Sequence, residues 1–190
     1  MITNVTQKNG KQLNFEEINV KNPSLERIRV LYESSFPSDE RRDFSEFLRL
    51  MEDETVPFHV VALTVSGSFA GFITYWEWHD FRYFEHFAIE VTMRNGGVGS
   101  KALQAVVGSS SLPVVLEVEL PETEMARRRI FFYERCGFRI WDNVDYVQPP
   151  YGVGKKGMPL RLMTFGDIAF SGSNDEKILR IKKVVYGFES

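Results

Sequence analysis

Arg94-Asn95-Gly96-Gly97-Val98-Gly99-Ser100 joins two patterns of different period. Upstream lies an extended apolar stretch, Tyr83 to Val91; downstream Val98, Ala102, Leu103, Val106 and Val107 recur at helical spacings of three and four. A strand that turns through glycines into a helix presents unpaired backbone N–H groups at the positive end of the helix dipole, roughly half a unit charge. That arrangement attracts a phosphate or a pyrophosphate. Gly97 and Gly99 carry no β-carbon to hold a diphosphate away from the backbone. Two familiar phosphate loops are excluded by spacing. A Walker loop needs four residues between its first glycine and a Gly-Lys pair, whereas here Lys101 follows Ser100; a dinucleotide fingerprint needs a further glycine where Ala102 stands.

What remains is Arg94-x-x-Gly97-x-Gly99, and a second segment, Phe132-Tyr133-Glu134-Arg135-Cys136-Gly137-Phe138, follows it in order. The first resembles the acetyl-CoA pyrophosphate loop of the GNAT N-acetyltransferase superfamily, and the second its "FYxxxGF" segment. The resemblance implies an α+β (mixed α/β) fold, with a central, mixed but mostly antiparallel sheet of about seven strands flanked by helices.

The order of elements agrees over roughly residues 13 to 165. Leu13–Val20 reads as a strand. A helix opens at Pro23-Ser24-Leu25-Glu26, with Leu25, Ile28, Val30 and Leu31 on its apolar face. Ser38-Asp39-Glu40-Arg41 resembles a capping box that starts a second helix through Phe44, Phe47, Leu48 and Met51. Pro57–Val65 and Phe69–Trp78 form a hairpin about Ser66-Gly67-Ser68, and Tyr83–Val91 leads into the glycine loop. A helix to Gly108, a strand at Pro113–Val118, a helix ending at Gly137 and strands at Phe138–Val147 and Leu160–Phe165 complete the order. Residues 1–166 are expected to form the acetyltransferase domain. Residues 167–190, with Ile178, Leu179, Ile181, Val184 and Val185 among lysines, form an amphipathic tail helix packed on that domain or on a partner.

Composition narrows the function. A net charge of −3 gives no basic footprint for nucleic acid, and no apolar run approaches the length that crosses a bilayer. The start lacks the basic-then-apolar pattern of a signal peptide, and one cysteine, Cys136, fits a reducing compartment, so a cytoplasmic protein is expected. His59, His79 and His86 are scattered and offer no metal-ligand spacing. A monomer or a homodimer is equally compatible with the chain.

The family's chemistry moves an acetyl group from acetyl-CoA to an amine by direct attack in a ternary complex. A lysine-like amine loses its proton at pH 7 only at a cost of about 4–5 kcal/mol, so a base must take it. By resemblance to the family's "LEV" segment that base is Glu117, flanked by Leu116 and Val118, where apolar neighbours are expected to raise a carboxyl pKa. A salt bridge to an arginine such as Arg128 is the structural alternative, and Glu119 and Glu85 are further candidates. Tyr133 matches the tyrosine that faces the cofactor sulfur; its alternative is a packed aromatic. Backbone groups of Phe87, Ala88 and Ile89 would meet the acetyl and pantetheine groups, and Asn95, Gly96, Gly97, Val98, Gly99 and Ser100 the pyrophosphate. Arg94 either joins them or caps a loop carbonyl. One departure stands out: relatives carry an asparagine early in the helix before the tyrosine, where this chain reads Met125-Ala126-Arg127-Arg128-Arg129. The acceptor is expected to be a primary amine of a small molecule or peptide, near Phe36–Arg42, Trp76–His79 and Tyr151. A module that binds acyl-CoA without turnover, or a nucleotide binder, is the competing expectation.

Overall fold

The computed structural model describes residues 2, 4–6, 10 and 12–188. Among the described residues, eight strands and five α-helices give a mixed α/β architecture, and the chain divides into two compact units. The first unit runs to Leu112 apart from Pro37–Arg42, and the second comprises Pro37–Arg42 with the chain from Pro113 onward.

The first unit is an antiparallel meander of β1 (Val5–Thr6), β2 (Gln12–Glu17), β3 (Phe58–Val65), β4 (Ser68–Glu77) and β5 (Arg82–Ile89). The two-residue β1, paired with Gln12 and Leu13, is the strand beyond the seven expected. The β3–β4 turn is tight because Ser66 and Gly67 both take positive φ, 50° and 81°, the two-residue geometry that matches strand twist. Helices α1 (Leu25–Ser35) and α2 (Phe44–Glu52) pack on this sheet, and α3 (Val98–Val107) follows β5. Tyr32 of α1 packs its ring on Phe47 and Phe72 at 5.1 and 6.2 Å. Val30, expected on the buried face, is 60% exposed, because Ile28, Leu31 and Tyr32 define the inward stripe and leave it on the far side.

Ser38 does not cap the second helix. Ser38–Glu40 closes a single 3-10 turn, Arg41 is extended (φ −150°, ψ 155°), and α2 begins only behind Asp43. The cause is next in sequence. Arg42 is 2% exposed, donates through Nη2 to the Val185 carbonyl at 3.0 Å and lies 5.0 Å over the Tyr151 ring. A backbone that delivers this guanidinium inward cannot also wind a helix from Ser38.

The second unit places β8 (Met158–Phe165) between β6 (Val114–Glu119) and β7 (Arg139–Gln148), both pairings antiparallel. Helix α4 (Glu124–Arg135) starts where Thr123 accepts from the Ala126 N–H at 3.0 Å, and packs on β6 and β7. It stops where Gly137 takes φ +93°. The tail forms α5 (Glu176–Tyr186). Its start is held by Asp175, which accepts from Ser171 N, Ser171 Oγ, Lys177 N and Lys177 Nζ at 2.9–3.2 Å. Burial opposes ionisation of that carboxyl, yet these donors hold it below the usual range. Ile178, Ile181 and Val185 are buried while Val184 faces outward.

Gly71 on β4 has a structural reason for lacking a side chain. A β-carbon there would sit 2.2 Å from the Ala88 carbonyl oxygen of β5. Gly71→Ala is expected to lower Tm by on the order of 5 °C, since a backbone atom must give way. A melting curve superimposable on wild type would contradict this close approach.

Candidate active site

The glycine loop is built as a bent connection between β5 and α3. Phe87, Ala88 and Ile89 pair with Ile73, Phe72 and Gly71 of β4, and a bulge at Glu85 interrupts the register one turn of pleat earlier. A short 3-10 turn, Val91–Met93, follows. Asn95 then takes φ 65° and Gly97, at the N-cap of α3, φ 75°. The α3 N-terminus receives no side-chain cap, so its leading N–H groups are not consumed by one. A β-carbon on Gly96 would meet nothing within 4 Å, and one on Gly97 would meet only Ser100 Oγ at 4.0 Å. Internal packing therefore does not demand glycine at 96, and at 97 it is the backbone angle that does. Arg94 Nε donates to the carbonyl of Ile89, the last residue of β5, at 2.8 Å.

Glu117, Glu119 and Tyr133 stand in the second unit. Glu117 and Glu119 project from one face of β6, two residues apart. Glu117 does not pair with Arg128, which instead bonds Glu124 one turn earlier on α4. Its carboxylate accepts two phenol hydrogen bonds, from Tyr146 of β7 on Oε1 and from Tyr186 of α5 on Oε2 at 2.9 Å. Glu119 accepts from Arg129 Nη1 at 2.8 Å. Glu40 completes that group, its carboxyl pushed up by burial and by the charge of Glu119, with Arg129 opposing. Tyr133 stacks edge-on against Phe138 at 5.6 Å. Burial pushes its phenol up to about 12, against a smaller opposing pull from Arg129.

The family's sequence model for acetyltransferases (GNAT) matches residues 25–138, more than half of the chain. The chain belongs to the GNAT family. A solved structure from Bacteroides thetaiotaomicron, described as a GNAT-family protein, is 35% identical, with a TM-score of 0.86 over 93% of this chain and 99% of that one. This GNAT chain shares the fold of more distant structures too. An acetyltransferase from Bacillus subtilis, solved in complex with CoA, is 15% identical, with a TM-score of 0.54 over 82% of this chain and 99% of its own. The ribosomal-protein-S18-alanine N-acetyltransferase of Escherichia coli is 14% identical, with a TM-score of 0.59 over 84% and 97%. No curated protein matches the chain. The mixed, mostly antiparallel GNAT fold is thus the fold of this protein.

The arginine triplet early in α4 is engaged by the protein's own groups. Arg127 bonds the Pro121 and Glu122 carbonyls at 2.9 and 3.2 Å, Arg128 forms an exposed pair one turn along, and Arg129 holds Glu119. The triplet shapes the approach to α4. Of the aromatic residues expected near an acceptor, Trp76 is buried against Phe58 at 5.1 Å and donates Nε1 to Glu85 at 3.0 Å. That bond engages the third candidate base. Tyr151 is buried beneath Arg42.

Tyr146 and Tyr186 went unnoticed in the sequence. Inward alternation of Val144, Tyr146 and Gln148 along β7 was a usable signal for the first. Nothing local marks the second. Among the described residues, no group of three or more His, Cys, Asp or Glu is placed to hold a metal ion, and no helix is long and apolar enough to cross a membrane.

These phenols carry a pH signature. Burial pushes Tyr75 and Tyr133 up to about 12, and burial beside Glu117 pushes Tyr146 well above 10. Unfolded, they ionise near 10, so above that pH the unfolded chain binds fewer protons than the folded one. Stability is therefore expected to fall as pH rises from about 10 towards 12, read as a dropping urea midpoint. A midpoint constant across that interval would contradict desolvated hydroxyls.

Proposed function

We propose that this GNAT protein transfers the acetyl group of acetyl-CoA to a primary amine of a small molecule or peptide, by direct attack in a ternary complex. The observation that carries the proposal is the β5–α3 elbow, whose glycines leave backbone open where no side chain of the protein needs the space. It suits a diphosphate approaching the helix N-terminus. Structures sharing the fold have been solved with CoA and, from Elizabethkingia anophelis, with acetyl-CoA.

In this proposal Asn95 to Ser100 take the pyrophosphate through backbone N–H groups, and Phe87, Ala88 and Ile89 present main-chain donors and acceptors to the acetyl and pantetheine amides. Arg94, at the entry to the turn, joins them while its Nε holds the Ile89 carbonyl. Glu117 takes the proton of the attacking ammonium. Its carboxylate is held by two phenol donors, one on each oxygen. Tyr133, protonated at neutral pH as any phenol is and pushed further up to about 12 by burial, donates to the departing sulfur. A thiol titrates near 8.5, below this phenol, so Tyr133 stabilises the developing thiolate by hydrogen bonding while keeping most of its own proton.

Purified protein mixed with acetyl-CoA and n-butylamine, spermidine, free lysine or a short peptide with a free N terminus should release free thiol with at least one of them. Tight CoA binding with no thiol from any amine would replace catalysis with a binding role.

A further inference from the structure

We propose that Tyr186, on the C-terminal helix α5, is a positioning residue for Glu117: with Tyr146 it fixes the carboxylate that receives the acceptor's proton, which makes α5 part of the catalytic apparatus. The inference rests on Glu117 being the base. A glutamate side chain has three rotatable bonds, and ordering it costs conformational entropy unless partners restrain it. Here a phenol on each oxygen fixes both the position and the plane of the carboxylate.

Tyr186 is itself placed by a series of contacts that would be superfluous if α5 only covered apolar surface. Its ring packs on Tyr151 at 4.8 Å, and the two hydroxyls lie 3.5 Å apart. The Arg42 guanidinium covers the other partner ring, Tyr151, and binds the carbonyl of Val185, the residue before Tyr186. Burying a guanidinium is costly unless it is hydrogen-bonded, and here the Val185 carbonyl and the Tyr151 ring supply partners. Beyond Tyr186 the helix is closed by Gly187 at φ 67°, with Gly187 N and Phe188 N bonding the Lys183 and Lys182 carbonyls at 3.1 and 3.0 Å. Both ends of α5 are thus pinned, and its last turn delivers one hydroxyl to β6.

The test compares full-length wild type with Tyr186→Phe, Glu117→Gln and the double variant, using whichever amine of the four releases thiol fastest. Phe keeps the ring against Tyr151, so the fold should survive. Tyr186→Phe is expected to lower kcat about 5- to 50-fold, with KM for acetyl-CoA within about twofold of wild type. In the Glu117→Gln background the same substitution should change kcat less than about twofold, because its effect passes through Glu117. Wild-type kcat in Tyr186→Phe, or an equal loss in both backgrounds, would overturn the inference while leaving Glu117 as base. Wild-type turnover in Glu117→Gln, or no thiol from any of the four amines, would remove the base assignment and this inference with it.

Discussion

Glu117→Gln is expected to lower kcat by roughly 100- to 1,000-fold at pH 7, within the range that a positioned general base contributes. The amide keeps the shape of the side chain; its oxygen can accept from one phenol and its NH2 can donate to the oxygen of the other, so loss of fold is not the anticipated cause. What it removes is the group that takes a proton from an ammonium of pKa near 10.4. The pH dependence gives the sharper reading. In the variant only amine already deprotonated in solution can react, and that fraction grows about tenfold per unit up to the amine's pKa. The deficit against wild type should therefore shrink as pH rises from 7 towards 9. A deficit that stays constant would mean that Glu117 does not handle the acceptor's proton. If Glu119→Gln alone gave the pH-dependent loss, the base would lie two residues along, at the carboxylate held by Arg129.

Tyr133→Phe is expected to lower kcat by roughly 10- to 1,000-fold while acetyl-CoA affinity changes little. The ring contacts with Phe132 and Phe138, at 5.2 and 5.6 Å, are kept, and only the hydroxyl goes. Hydrogen bonding to a developing thiolate acts in the transition state more than in the ground state, so the loss belongs in kcat and not in KM. Wild-type kcat would reduce Tyr133 to a packed aromatic. The alkaline titration offers a link between the two experiments: the variant lacks one phenol raised to about 12, so its stability should fall less steeply above pH 10.

Much of this was legible in the sequence because it depends on local backbone physics. Gly97 and Gly137 announce positive φ, the spacing of Val98, Ala102 and Val106 announces a buried helix face, and Ser66-Gly67 announces a hairpin. Local signals also misled. Ser38 carries the residues of a capping box, yet the burial of Arg42 four positions later decides the backbone there. The surroundings of Glu117 were hidden for a different reason. Its phenol partners lie 29 and 69 residues away in sequence, on a strand and on a tail helix whose pattern reported only an apolar stripe. A carboxylate among Leu116 and Val118 looks desolvated in sequence, whereas the fold surrounds it with donors. Partners assembled by topology leave no periodic trace.

The most direct measurement is a calorimetric titration of acetyl-CoA into folded wild-type protein and into Gly97→Val, whose β-branched side chain is placed at a backbone φ of 75°. The predicted result is saturable, one-to-one heat with wild type, at a Kd on the order of 1–100 µM, and binding at least about tenfold weaker in the variant. No heat from folded wild-type protein, or equal affinity in Gly97→Val, would contradict a diphosphate held against the β5–α3 elbow.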